Sequence, residues 1–212
     1  MPRIDDYKQA VELGRKELSE LDPSFIAEIS GAILHTDPQG KKMLYLNFIN
    51  REIVITWPDL EFSYKDSHEE VPIQQQILLL HYLDGVGSGA KISGDWIAFQ
   101  DVPDGRFYLG AFLKRAKDPL VKTFGPNPKL LIDGATNIYG AVPYDHGDFS
   151  VIVQALPLVP VALILWKGDE EFPPEGNILF DRTISDIFSA EDIAWLSGMV
   201  VYPLIGMAKG KG

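Results

Sequence analysis

The sequence contains no cysteine. This absence excludes disulfides, thiolate nucleophiles, and zinc or iron–sulfur centres held by cysteine. Histidine, carboxylate and backbone oxygen are the principal ligands left for any metal. We therefore expect a protein without structural zinc and without an iron–sulfur cluster, folded in a reducing compartment such as the cytoplasm.

Positive charge is also scarce. The chain has 19 Lys and Arg against 30 Asp and Glu, which gives a net charge of −11 at pH 7. This excess repels phosphate backbones and anionic lipid, so neither nucleic acid nor a membrane surface is an expected partner. The segment from Met1 to Asp6 lacks the basic and apolar pattern of a secretory signal, and proline or charge interrupts the longest apolar stretches. We expect a soluble cytoplasmic protein, and the composition leaves its oligomeric state open.

Familiar catalytic motifs are missing. There is no Gly-x-Ser-x-Gly, no His-x-x-x-His and no His-Glu-x-x-His. The glycine-rich segment Gly85–Gly89 follows a predicted helix, whereas a phosphate-binding loop follows a strand and opens a helix. These absences favour a binding role over catalysis, and we assign no catalytic residue.

The hydrophobic fraction of 46% in 212 residues is enough to bury a sizeable core. Apolar residues recur at helical spacing over residues 4–21, and Asp22-Pro23 ends that pattern. From Phe25 to Tyr64 the period is two, which predicts an antiparallel meander whose first strand directs Phe25, Ala27, Ile29, Gly31 and Ile33 to one face. Residues 72–140 read as a mainly helical middle with a short strand at Trp96–Phe99.

The C-terminal third, residues 149–205, combines strands with a final helix. Phe149–Leu156 and Val161–Trp166 are rich in branched apolar residues and predict a hairpin, followed by a brief strand at Ile178–Phe180. A capping box at Ser189–Asp192 opens the last helix, which Pro203 should bend or end. We predict an α+β fold of one domain, residues 1–212, in which both groups of strands share one antiparallel sheet flanked by helices.

Histidine offers the strongest nitrogen ligand in the chain. His35 is predicted on the inward side of a strand, and His146 lies in a loop with Tyr144 and two aspartates. His81 falls within the apolar helix, where a hydrogen-bonded core histidine is the alternative to a ligand. The candidate cofactor-binding residues are therefore His35, Tyr144, His146 and His81.

Carboxylates cluster in one loop. Asp169, Glu170 and Glu171 are followed by Glu175 and Asp181, and such oxygens suit a hard cation. The candidate metal ligands are Asp169, Glu170, Glu171 and Asp181. The alternative is a solvated acidic turn, although Phe172-Pro173-Pro174 indicates a loop that folds back on the body of the protein.

The segment Ala155–Pro173, with Ile178–Asp181 and Ser189–Ala194, resembles a family catalogued as a domain of unknown function, found mostly in anaerobic bacteria and archaea. The resemblance extends back through Leu78–Leu83 and Trp96–Phe99, and so covers most of the chain after the first helix. Some longer relatives carry a Cys-rich iron–sulfur segment upstream, which is absent here. The resemblance implies a place near corrinoid, haem or electron-transfer metabolism.

Three functions follow as hypotheses. The first is a soluble carrier or accessory protein for a tetrapyrrole, haem or corrinoid, in which His35 or His146 supplies the axial imidazole. The second is a metal-assisted hydrolase or lyase that uses the acidic side chains, with His146 as base. The third is a non-catalytic subunit of a redox complex, docked through an apolar patch.

Overall fold

The computed structural model describes residues 4–210, which fold into two compact units. Unit 1 contains the chain up to Lys91, together with Leu156–Leu158 and Asp186–Phe188. Unit 2 contains Ile92–Ala155, Val159–Ser185 and the chain from Ser189 onwards. The backbone therefore passes several times from one unit to the other.

The helices of unit 1 are α1 (Ile4–Ser19), α2 (Pro23–Ser30) and α3 (Ile73–Gly85), and a short 3₁₀ turn at Val86–Ser88 extends α3. Helix α1 packs along α3 at Gly14, where an added Cβ would lie 3.3 Å from the Leu80 side chain. The fully buried Tyr82 of α3 donates a hydrogen bond of 2.6 Å to the carbonyl of Ser30, at the end of α2. These contacts bind the three helices into one layer.

The sheet of unit 1 is a four-stranded antiparallel meander in chain order. Its strands are β1 (Ile33–Thr36), β2 (Lys42–Phe48), β3 (Arg51–Trp57) and β4 (Phe62–Tyr64). Alternate side chains of the two central strands are buried, as one covered face requires: Leu44, Leu46, Phe48, Ile53, Ile55 and Trp57. Helix α2 packs on β1 and β2.

The prediction of a strand beginning at Phe25 is wrong, because residues 23–30 form helix α2. The Asp22 side chain accepts a hydrogen bond of 3.0 Å from the backbone N–H of Ser24, Pro23 opens the first turn, and Gly31 ends the helix with φ of 72°. These are the start and stop signals of a helix, and they outweigh the period-two pattern of a short segment. Phe25 is exposed rather than inward-facing.

The helices of unit 2 form a layer around a long C-terminal helix. They are α4 (Gly105–Phe112), α5 (Asp118–Phe124), α6 (Lys129–Tyr139), the single turn α7 (Ile184–Ile187), which ends in unit 1, and α8 (Ala190–Gly210). A π-helical segment, Leu113–Lys117, joins α4 to α5, and a 3₁₀ turn at Phe99–Asp101 precedes them. Helix α8 contacts α4, the π-helical segment, α5 and α6.

The sheet of unit 2 has five strands in the order β5-β9-β8-β7-β6. They are β5 (Trp96–Ala98), β6 (Val142–Pro143), β7 (Phe149–Leu156), β8 (Val159–Trp166) and β9 (Glu175–Asp181). Central strand β8 is buried from Val159 to Leu165. Helical residues cover one face of the sheet, where the rings of Phe99 and Phe112 stack at 4.2 Å and Phe112 meets Phe180 of β9 at 6.3 Å.

The five-stranded sheet is strongly curled. A flat sheet would separate its two edge strands by about 19 Å, from four spacings of about 4.8 Å. Yet the ring of Trp96 on edge strand β5 lies 5.3 Å from the ring of Tyr144, which directly follows edge strand β6. Two aromatic side chains cannot span the flat distance, so the two edges approach each other.

The α+β class, with antiparallel sheets flanked by helices, is confirmed. The prediction that both groups of strands share one sheet is wrong, because β1–β4 pair only among themselves and β5–β9 form a second sheet. Consecutive strands with short connections pair with each other, which satisfies their backbone hydrogen bonds within each group. The apolar pattern does not specify which edge strands of different groups would pair. The number of domains stays a prediction, since C-terminal segments 156–158 and 186–188 belong to unit 1.

The capping box of the last helix is confirmed, and the expected effect of Pro203 is not. The Asp192 carboxylate accepts bonds of 2.7 Å and 3.2 Å from the hydroxyl and backbone N–H of Ser189, and the Ser189 hydroxyl accepts one of 3.2 Å from the backbone N–H of Asp192. Helix α8 then continues through Pro203 to Gly210 instead of ending there. Packing against the other helices of unit 2 outweighs the hydrogen bond lost at proline.

Helix α8 is also long and apolar enough to cross a membrane by length and composition. The expectation that no apolar stretch reaches that length is therefore wrong. Half of its most apolar window is buried inside the fold, which is typical of the core helix of a soluble protein. Its residues Asp192 and Ser197 are buried as well and hydrogen-bond within the helix or its cap.

The tight turn between β2 and β3 generates a stability prediction. Phe48 pairs with Arg51, and the two residues between them, Ile49 and Asn50, have φ of 48° and 59°. Asparagine tolerates this left-handed region, whereas a β-branched side chain is strained there. Ile49→Asn should raise the free energy of unfolding by about 1 kcal/mol in urea titration. Ile49→Val keeps the branched side chain and should give no gain, so equal stabilisation by both variants would contradict the explanation.

Candidate functional site

His35 lies in unit 1, on edge strand β1, and it is exposed. The prediction of an inward-facing side chain is therefore wrong, because the strand begins only at Ile33 and that residue is itself 67% exposed. The His35 ring meets Tyr45 edge to face at 6.2 Å. Ile33, Glu52 and Lys65 complete a shallow groove around this pair.

His81 is exposed as well, so its interpretation as a core histidine is wrong. The apolar residues on both sides of it in α3, Leu80, Tyr82 and Leu83, are buried and turn His81 outwards. A helix that is apolar on nearly every side still leaves a few polar positions for solvent, here His81 and Asp84. Replacement of His81 therefore removes no buried group.

The acidic loop is ordered by one of its own side chains. The Asp169 carboxylate accepts hydrogen bonds of 2.8 Å from the backbone N–H groups of Glu171 and Phe172. These bonds lower the pKa of Asp169. The loop folds back on α5 as predicted, because an added Cβ at Gly125 would lie 2.8 Å from Pro174. Asp169, Glu170 and Glu171 all remain exposed.

Asp181 differs from the other predicted metal ligands, because it is only 1% exposed. Its carboxylate accepts hydrogen bonds from the hydroxyls of Ser93 and Thr183, at 2.9 Å and 2.6 Å, and from the backbone N–H groups of Ser93, Gly94 and Thr183. Burial raises the pKa of Asp181, but these donors outweigh it and bring the pKa down to about 2. The group is therefore ionised at neutral pH, and its oxygens hold two chain segments together.

The four predicted metal ligands do not form one site. Asp181 is occupied by N–H and O–H donors, while Asp169, Glu170 and Glu171 face solvent. Within residues 4–210, no group of three or more His, Asp or Glu side chains is placed to hold a metal ion.

His146 and Tyr144, by contrast, are brought together with two tryptophans. The His146 ring is nearly parallel to that of Tyr144 at 5.9 Å, and it meets Trp166 edge to face at 6.0 Å. Tyr144 in turn lies 5.3 Å from Trp96. His146 is exposed and the other three rings are half-buried. We name this row of rings, Trp96, Tyr144, His146 and Trp166, the aromatic face.

Strand register places both tryptophans on one side of the sheet. Trp96 pairs with Asp181 and Trp166 pairs with Glu175, and these two β9 residues are an even number of positions apart. The side chains between them on that side are the half-buried Ala98, Asn177 and Leu179 and the buried Ala162 and Ile164. The aromatic face therefore has a floor of small or apolar character that is partly open to solvent.

Hydrogen bonds fix the loop that carries Tyr144 and His146. The buried Ser150 hydroxyl donates a bond of 2.6 Å to the Tyr144 carbonyl and accepts one of 3.3 Å from the backbone N–H of His146. Asp148 accepts a bond of 2.8 Å from the backbone N–H of Lys167. Gly147, with φ of 68°, approaches so closely that an added Cβ would lie 2.7 Å from Ile164. The rings are thus preorganised, which lowers the entropy lost when a ligand binds.

The chemistry available here is stacking and imidazole ligation. Aromatic rings present flat, polarisable surface, and in the described part of the chain the ring nitrogens of His146 make no hydrogen bond. A neutral imidazole in that state can ligate an iron or cobalt ion. The sequence indicated His146 and Tyr144, but not Trp96 and Trp166, whose strand positions are equally typical of core residues.

Fold and site together define a two-unit α+β protein with a preorganised aromatic surface on a curled sheet. Within that class, a family model described as "Domain of unknown function (DUF3786)" matches residues 22–202. The chain belongs to this family. Comparison with curated proteins and with solved structures found no match.

Asp181 generates a prediction about stability and pH. Asp181→Asn places an amide N–H₂ among donors, so the free energy of unfolding at pH 7 should fall by about 2–3 kcal/mol, because several charge-assisted hydrogen bonds are lost. The folded-state pKa lies below the unfolded value, so this stabilisation is complete above about pH 4 and disappears as the pH falls through about 2. The stability difference between wild type and variant should therefore shrink across that range in urea titrations.

Asp169→Asn is the matched control. Its carboxylate also accepts two backbone hydrogen bonds, but it is exposed to solvent. The control should cost much less stability than Asp181→Asn. A difference between Asp181→Asn and wild type that stays constant from pH 5 to pH 2 would show that the carboxylate charge is not responsible.

Proposed function

We propose that this protein is a soluble, cytoplasmic ligand-binding or accessory protein whose aromatic face holds a flat conjugated cofactor, most specifically a tetrapyrrole such as haem or a corrinoid. The observation that carries the proposal is the preorganised row of Trp96, Tyr144, His146 and Trp166 on a partly open sheet face.

Energetics support a surface of this kind. Each favourable aromatic pair contributes about 0.5–1.5 kcal/mol beyond the area it buries, so several rings can hold a planar ligand tightly. The exposed His146 can add one metal–nitrogen bond to an iron or cobalt centre. Ala98 and Leu179 on the floor offer small apolar contacts beneath a ring system.

The physiological setting is inferred from the family resemblance. The resemblance implies relatives in anaerobic bacteria and archaea, some of them joined to an iron–sulfur segment, and such a setting favours a carrier that works beside corrinoid or haem enzymes. A non-catalytic role in a redox complex is compatible with such a carrier. The metal-assisted hydrolase has no supporting observation among the described residues, because the carboxylates it requires do not converge.

Titration with haemin and with hydroxocobalamin tests the proposal. We expect a saturable change in the absorption bands at micromolar concentration, with quenching of tryptophan fluorescence as the ligand covers Trp96 and Trp166. His146→Ala should shift the bands of the bound cofactor and weaken binding by about tenfold, because one strong ligand is lost. Trp96→Ala should weaken binding without shifting those bands.

Two further histidine variants complete the design. His81→Ala removes an exposed imidazole of unit 1 and should leave binding unchanged. His35→Ala tests the other histidine predicted as axial ligand. If this variant loses binding while His146→Ala keeps it, the ligand site lies in the groove beside Tyr45. If wild-type protein gives no saturable spectral change with either cofactor, the tetrapyrrole proposal fails.

A further inference from the structure

The loop at the edge of the aromatic face carries carboxylates and no cation. Asp145 lies between Tyr144 and His146 in the sequence and is exposed, and Asp148 follows in the same loop. Asp181 is paired with Trp96 in the sheet, but it is buried and its charge is compensated by the donors of Ser93, Gly94 and Thr183, so it adds little to the field at the face. Asp95 is balanced by Arg182, whose Nε lies 3.6 Å from the Asp95 Oδ2.

Positive charge at the face is limited. Lys167 follows Trp166, and its Nζ lies 5.0 Å from the centre of the Phe149 ring. Glu175, beside Trp166 in the sheet, shares a groove with Lys117 and Lys122 of the α5 side. The loop that carries Tyr144 and His146 itself contains two carboxylates, Asp145 and Asp148, and no cation.

The aromatic rings themselves also favour positively charged ligands. The faces of tryptophan and tyrosine are electron-rich and attract cations, and Trp is the strongest in this respect. The net charge of −11 adds a long-range field that repels anions.

We propose that the aromatic face selects flat ligands with a neutral or positively charged periphery and disfavours those with carboxylate arms. This inference rests on the proposed function. Among tetrapyrroles it favours corrinoids, whose arms are carboxamides, over haem, whose propionates are ionised at neutral pH. The Asn177 amide on the floor can hydrogen-bond a carboxamide as donor or acceptor.

Two synthetic iron porphyrins with the same core isolate the effect of charge. One carries four N-methylpyridinium groups and the other four sulfonatophenyl groups. At low salt we expect saturable one-to-one binding of the cationic porphyrin at least about tenfold tighter than that of the anionic one, with the ratio falling as salt screens the charges. Trp96→Ala should weaken both, because it removes a shared stacking surface.

Charge variants separate the local effect from the overall charge of the protein. Asp145→Asn should weaken cationic binding and strengthen anionic binding by about threefold each, and Lys167→Gln should do the reverse. Asp133→Asn changes the net charge equally at an exposed position on α6, and should alter neither affinity measurably.

The outcomes distinguish this inference from the proposed function. Equal affinity for both porphyrins, or tighter anionic binding, overturns the charge selection and leaves the ligand site intact. Equal effects of Asp145→Asn and Asp133→Asn also overturn it, since the preference would then come from net charge alone. Failure of both porphyrins, haemin and hydroxocobalamin to bind overturns the ligand site and the inference together.

Discussion

The buried carboxylate of Asp181 is the constraint on which one edge of the aromatic face depends. It closes the end of β9 by accepting hydrogen bonds from Thr183, and it holds the Ser93–Gly94 segment that leads directly into β5. Trp96 stands opposite Asp181 in that pairing. An ionised group that is buried away from water is stable only when hydrogen-bond donors surround it. Here the donors belong to the Ser93–Gly94 segment before β5 and to Thr183 after β9, so the carboxylate links these two segments. The position of Trp96 therefore depends on these hydrogen bonds as well as on the packing of its buried neighbours Ile97 and Phe99.

The same logic applies at the other side of the aromatic face. Ser150 and Asp148 fasten the loop of Tyr144 and His146 to β7 and β8 through short hydrogen bonds, and Gly147 permits the close approach to Ile164. Polar contacts thus fix the backbone while the rings stay partly open to solvent. A surface that is both rigid and half-exposed suits the capture of a flat ligand, at little cost in conformational entropy.

Features of the fold that depend on local signals are predictable from the sequence, whereas features that depend on contacts between distant segments are not. The strand Arg51–Trp57 and the capping box at Ser189 were predictable because alternation and reciprocal capping involve neighbouring residues. The alternating apolar residues from Phe25 predict a strand, but so short an apolar pattern is also compatible with the helix α2 that forms there. The aromatic face was half predictable. His146 and Tyr144 are adjacent in one loop, whereas Trp96 and Trp166 join them only through the pairing of β5 with β9 and of β9 with β8.

The sequence by itself determined the α+β class, most helices and strands, and the exclusion of all cysteine chemistry, because composition and periodicity are properties of the chain alone. Tertiary structure decided that the strands divide into two sheets, that His35 and His81 face solvent, and that Asp181 is a structural acceptor rather than a metal ligand. It also decided that Trp96 and Trp166 share one face with Tyr144 and His146. The physical reason is that sheet order and register arise from contacts between segments far apart in the chain, and an apolar pattern does not specify which partner each segment will find.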